Sequence, residues 1–255
     1  MVIYKNLNRI IKLNKSTLTI GSFDGFHLGH IKIIKHLKLI SNNKSIPTVV
    51  ITFDPHPKKI LSPNNDNINI LQSLNEKIDF LKKMNIDYLL IIPFNKKMSE
   101  ITAKDFLHKY MINYFNPSDI LVGNDHRFGC NQKGDVNYLL NNKINYGYTL
   151  HVINSAIYHN YRISSTMIRR YIKNGNIEKA NECLGRNYEL NGTIIKGNGI
   201  GTQIGFPTIN IKPIHSDQII PFNGVYSVDI IINNKTYAGM CNIGTRPTFY
   251  ENGSK

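Results

Sequence analysis

The amino-acid sequence predicts an α/β protein with a mostly parallel sheet covered by helices, followed by a smaller all-β unit. Two patterns predict it. Short β-branched runs alternate with longer amphipathic stretches over the first two thirds of the chain, as in βαβ units. After about residue 182 the helical period gives way to strand-like runs broken by Gly, Pro and Asn.

In chain order, 17–20, 48–53, 88–92, 120–122 and 149–153 have the apolar, β-branched texture of strands buried on both faces. Helices are predicted between them over 31–40, 76–84 and 102–115. In the first, Ile33, Ile34, Leu37 and Ile40 share a face suited to packing on a sheet, while Lys32, Lys35 and Lys38 fall largely outside it. The later strands are 188–195, 206–211, 225–232 and 236–243, with Asn233-Asn234 as a turn. This divides the chain into domains 1–182 and 183–255.

A length of 255 residues suits one large domain or two ordinary ones. No apolar run approaches the roughly 20 residues that span a bilayer. The start, MVIYKNLNRI, lacks the apolar block of a secretory signal, so a cytoplasmic protein with no membrane partner is expected. Cys130, Cys183 and Cys241 lie far apart without metal-ligand spacing, which argues against a zinc site or a disulfide framework. The formal net charge of +14 comes from scattered lysines, with no block of like charge and no basic stripe interleaved with aromatics. It reads as solvated surface that also attracts anionic substrates, and no nucleic-acid partner is expected.

Residues 21–30, GSFDGFHLGH, fall between the first strand and the first helix. Open α/β sheets bind ligands at this edge, and free amides at a helix start favour anions. Gly25 and Gly29 would let phosphates approach the backbone. His27 and His30, three apart, can aim at one locus, and an imidazole titrating near pH 6.5 can donate to a phosphoryl oxygen. Surface residues or caps are the alternative. No third ligand sits at useful spacing for a metal.

The stretch resembles the HxGH signature of nucleotidylyltransferases, and GxFDGxHxGH is similar to the N-terminal module of bacterial bifunctional riboflavin kinase/FAD synthetases. Three more segments match that family in order: TFDPHP at 52–57, GNDHRFG at 123–129 and RISSTMIRR at 162–170. The resemblance implies a Rossmann-like nucleotidylyltransferase domain in which the FMN phosphate attacks the α-phosphorus of ATP. It places His27, His30, Arg162, Ser165 and Thr166 in the catalytic set, and Gly21, Phe23, Asp24, Gly25, Gly29, Asp125 and Arg169 around ATP and FMN. The segment SSTMIRR also reads as a helix cap with a basic first turn, and both roles can hold together. His56 is either structural or close to the flavin. His126 departs from the aromatic residue usual in the family.

The segment 199–211, GIGTQIGFPTINI, resembles the riboflavin kinase signature, with further matches at 224–228 and 242–249. This implies a kinase-like barrel in which Gly205, Thr208 and Asn210 face ATP, with Thr208 and Asn210, alternate residues of one strand, as ligands of Mg²⁺. Thr202 replaces a commonly basic residue and Ile209 a commonly small one. The sequence given stops at Lys255, ahead of the strand that carries the base in related chains, and Glu251 falls too early to replace it. An incomplete barrel with little or no riboflavin kinase activity is therefore expected. Other readings are a nucleotidylyltransferase for another phosphorylated acceptor and a non-catalytic nucleic-acid-binding protein.

Overall fold

The computed structural model describes residues 1–5, 7–62, 69–197, 203 and 205–244. Its central sheet holds β1 (Val2–Tyr4), β2 (Ser16–Ile20), β3 (Thr48–Asp54), β4 (Tyr88–Pro93), β5 (Pro117–Gly123) and β6 (Thr149–Ile153). The spatial order is β1-β4-β3-β2-β5-β6, and every neighbouring pair is parallel. The all-parallel sheet agrees with the sequence. The short β1 carries no periodic signal, and β5 extends the expected 120–122 at both ends.

Strand alternation divides the core in two. Leu18, Ile20, Val49, Ile51, Leu90 and Ile92 point to one face, and Val50, Leu89, Ile91 and Leu121 to the other. The second face is covered by α1 (Leu28–Lys44), and past the short α2 (Pro57–Leu61) by α3 (Leu74–Lys83). Ile33, Ile34 and Leu37 of α1 are buried there, as their spacing predicts. Ser73 opens α3 with a reciprocal capping box to Glu76.

The first face is covered by α4 (Lys96–Ser99), α5 (Ala103–Phe106), a π-helical segment Leu107–Ile112, α6 (Asn113–Phe115) and α7 (Val136–Tyr146). The single helix expected over 102–115 is thus wound at two pitches. Its π-helical part still buries Leu107, Tyr110 and Met111.

A hairpin of β7 (Ile157–Tyr158) and β8 (Tyr161–Arg162) leads to α8 (Ser165–Lys173) and α9 (Ile177–Leu184). These helices form a third core in which Ile168, Ile172, Ala180 and the thiol-bearing Cys183 are fully buried.

Two antiparallel ribbons follow: β9 (Gly192–Ile195) with β10 (Asn210–Pro213), and β11 (Gly224–Ile232) with β12 (Lys235–Ile243). Asn233 (φ 50°) and Asn234 (φ 63°) turn the second ribbon in the left-handed region. The expected strand 188–195 begins only at Gly192, because Tyr188 turns inward and its hydroxyl donates to Ile219 O at 2.6 Å. The expected strand 206–211 is shifted to Asn210–Pro213. Thr208 therefore precedes the strand, and the alternation that would pair it with Asn210 on one face does not apply. Residues 199–202 and 245–249 of the kinase-like segments, and with them Thr202, lie outside the described residues, as does Glu251.

Candidate active site

At the carboxyl end of β2 the chain enters the crevice between β3 and β5, and residues 21–27 cross it before α1 begins at Leu28. Phe23 (φ 44°), Gly25 (φ 86°) and Phe26 (φ 37°) all lie in the left-handed region. Holding a bulky residue there costs about 1–3 kcal/mol and persists only where the surroundings over-determine it.

The surroundings do so here. Phe23 and Phe26 are buried and stacked, with centroids 5.4 Å apart, and Phe26 also stacks on Phe80 at 4.5 Å. Buried Asp24 accepts from Leu71 N at 2.9 Å and pairs with Arg169 of α8. Burial pushes its carboxyl up, opposed by the Arg169 and Lys77 cations. Ser165 Oγ donates to Asp24 O at 2.9 Å, and Lys77 Nζ to Ser22 O at 2.7 Å. Arg186 Nη2 and Nη1 donate to Gly25 O and Phe26 O at 2.7 and 3.2 Å.

This loop presents the two histidines together. Their rings stack with centroids 3.7 Å apart and planes 19° apart. Gly29 makes room for the pair, since a Cβ there would stand 3.1 Å from His27 Cε1. Burial lowers His27 to about 4 and holds His30 well below its ordinary 6.5, where the stacked His27 ring also discourages charge. Both are therefore neutral near pH 7, which corrects the expectation of imidazoles titrating near 6.5. The Nδ1 of each is buried without a hydrogen-bond partner. His27 also occupies the N-cap of α1 with no side-chain cap bond, so the first-turn amides keep their capacity for an outside acceptor.

A cavity of about 240 Å³ opens over the pair. Of the residues singled out from sequence, His27, Gly29, His30, Asp125, Arg162, Ser165, Thr166 and Arg169 line it. Arg162 forms an ion pair with Asp125. Gly21, Phe23, Asp24 and Gly25 are not in its wall. Phe23 and Asp24 point into the protein, and Gly25, where a Cβ would stand 2.8 Å from Leu71 Cδ1, serves the turn instead of a close phosphate approach. The wall also includes Ser22 and Ser164, which fall within the quoted segments, and Lys58, Asn154 and Ser155, which carry no distinctive spacing. Ser164 caps α8 by accepting from Met167 N, so the cap reading of SSTMIRR and the cavity reading both describe the geometry.

His56 likewise does two things. It caps α2 by accepting from Lys58 N at 3.2 Å, and it lines the cavity, where burial and the nearby Arg169 lower it to about 3. His126 stacks on Phe128, and burial lowers it to about 4. A larger cavity of about 470 Å³ beside β4 is lined by Leu7, Leu90, Ile92, Met98 and Tyr110 among others, and includes neither histidine. Among the described residues no three His, Cys, Asp or Glu side chains converge on a metal position. Thr208 and Asn210 supply oxygen donors of the right kind for Mg²⁺, but they do not share a strand.

Residues 10–167 match the family model for FAD synthetase. The chain belongs to the FAD synthetase family. Residues 184–255 match the model for riboflavin kinase. FAD synthetase relatives include the bifunctional riboflavin kinase/FMN adenylyltransferase of Buchnera aphidicola subsp. Acyrthosiphon pisum, 38% identical over 253 residues, covering 98% of this chain and 79% of the relative. The protein of the same description from Bacillus subtilis is 35% identical over 240 residues, covering 93% and 74%. A solved Streptococcus pneumoniae structure described as a macrolide-efflux protein superposes with a TM-score of 0.87 at 30% identity, covering 97% of this chain and 80% of that one. Among the described residues no helix is long and apolar enough to cross a membrane.

Proposed function

We propose that this chain makes FAD by transferring the adenylyl group of ATP to FMN. A phosphate oxygen of FMN attacks the α-phosphorus, the bond from that phosphorus to the α,β-bridging oxygen breaks, and pyrophosphate leaves. The observation that carries the reading is the stacked, neutral His27–His30 pair lining one cavity together with Arg162 at the start of α1. Neutral N–H donors, first-turn amides and guanidinium groups fixed in advance stabilise charge building on the phosphates. In this reading His27 and His30 meet the ATP phosphates, and Arg162 exchanges Asp125 for them. Ser165, Thr166 and Arg169 flank the leaving group. Gly21, Phe23, Asp24 and Gly25 act through the loop. Mg²⁺ would arrive with ATP.

We assign riboflavin phosphorylation by ATP to residues 183–255, with Gly205, Thr208 and Asn210 on the ATP side, supported by the riboflavin kinase match. The division at 182/183 is part of the proposal, as is a cytoplasmic location, where ATP is supplied.

Incubation with FMN, ATP and Mg²⁺ is expected to yield FAD and pyrophosphate in equal amounts. His30→Ala should slow it on the order of 10²-fold. Adenylylation of a different phosphorylated acceptor, or salt-sensitive nucleic-acid binding without turnover, would overturn the reading. The same preparation given riboflavin and ATP is expected to yield FMN and ADP, which tests the assignment to residues 183–255.

A further inference from the structure

We propose that Arg186, which lies in the riboflavin kinase-matched segment, is a positioning residue for the adenylyl transfer site: its guanidinium grips the Gly25 and Phe26 carbonyls and so fixes where His27 stands. The proposal rests on the adenylyl-transfer reading above.

The geometry is two-pronged. Nη2 donates to Gly25 O at 2.7 Å, and Nη1 donates to Phe26 O at 3.2 Å and to Leu184 O at 3.4 Å. The guanidinium carbon lies 5.5 Å from the centre of the Phe80 ring, the same ring that stacks on Phe26. These two carbonyls come immediately before His27, whose own carbonyl accepts the first bond of α1 from Ile31 N at 3.0 Å. Among the described residues no other side chain donates to either of them.

Both residues sit in the left-handed region, so the loop needs outside restraint to stay as it is. Lys77 and Ser165 hold the carbonyls of Ser22 and Asp24, and the stretch next to the catalytic imidazole is left to Arg186.

A second observation fixes the path of the chain that brings Arg186 there. Gly185 closes α9 with φ 71°, and a Cβ on it would stand 2.6 Å from Leu28 Cδ2. The chain leaving α9 therefore turns against the first residue of α1. The residues that follow tie into the second half: Gln218 Nε2 donates to Glu189 O at 2.9 Å, and Tyr188 to Ile219 O. One short strip thus bonds to the segment between β10 and β11 and holds the loop before α1.

The test compares Arg186→Ala, Arg186→Lys and the wild type as full chains. It reads FMN adenylylation, thermal stability and amide hydrogen exchange. Arg186→Ala is expected to lower kcat by about tenfold or more, since a displacement near 1 Å can cost up to about 10²-fold. KM for FMN should change little. Exchange at residues 21–30 should accelerate while α8 stays protected. Arg186→Lys keeps one cation but not both prongs, and should fall between. Millimolar guanidinium should restore part of the Arg186→Ala rate. Unchanged exchange at 21–30, or a rate loss no larger than the loss of folded protein and not rescued, overturns the proposal. A wild type that makes no FAD would instead refute the adenylyl-transfer reading, while the exchange data still report whether Arg186 holds the loop.

Discussion

Arg169 reaches from α8 to Asp24 beneath the turn, and its Nε donates to Asn69 O at 2.7 Å, so the aspartate of GSFDG faces the interior and not the cavity. Asp24→Asn removes the anion and leaves the guanidinium poorly paired. Breaking a buried pair in this way should cost about 3–5 kcal/mol, read as a lower urea midpoint. Normal stability with a raised KM for ATP would mean that Asp24 acts on the ligand directly.

Lys77 should behave differently. Its ammonium is buried and spans to Ser22 O, and burial lowers its pKa against the pull of Asp24 and Asp54. Lys77 donates to a carbonyl and not to a carboxylate, so Lys77→Met breaks no direct ion pair among the described residues, while the loop loses a restraint. Lys77→Met is expected to lower FAD formation by about tenfold or more with a change in unfolding free energy under about 2 kcal/mol. Full activity in the variant would remove Lys77 from the loop's support.

His27 and His30 should stay neutral through the physiological range. Their imidazole carbon-bound proton resonances are expected to be flat from about pH 8 down to about pH 6 and to move only well below the ordinary histidine midpoint. A midpoint near 6.5 for either ring would contradict the burial described above.

The same burial makes folding pH-dependent with a defined sign. His27, His56 and His126 have folded values of about 4, 3 and 4 against 6.5 for the unfolded chain. As pH falls below 6.5 the unfolded chain takes up protons first, so stability is full above that value and declines toward the folded values. Every tenfold by which the unfolded chain binds a proton more tightly than the folded one corresponds to about 1.4 kcal/mol per group. Urea unfolding at about pH 7 and about pH 5 should show the loss, and a His27→Gln protein should lose less.

His126 leaves its Nε2 buried without a partner while its ring stacks 5.7 Å from Phe128. His126→Phe keeps the ring and removes the unpaired atom. It should raise stability by about 1 kcal/mol, visible as a higher Tm with little change in rate.

Strand texture and the apolar face of α1 were legible because burial on a sheet demands them. The change of pitch at Leu107–Ile112 was not, since apolar residues at helical spacing fit either winding. Val136–Tyr146 gives no clear apolar face, because it buries only Leu139 in an Asn-rich stretch. At the site, GSFDGFHLGH announced a phosphate turn, but spacing cannot tell which way Phe23 or Asp24 points once the backbone enters the left-handed region. Lys77 left a readable trace, a charge set among Leu74, Ile78 and Leu81 on the apolar face of α3. Arg186 left none, because its partners are backbone carbonyls some 160 positions earlier.

Cys183 sits fully buried in α9, three positions ahead of Arg186, and burial pushes its thiol up. An alkylating reagent can reach that sulfur only when α9 lifts from α8, whereas Cys130 and Cys241 stand partly open in the resting protein. The slow phase of thiol labelling is therefore a built-in clock for how often the support beneath the histidine pair lets go.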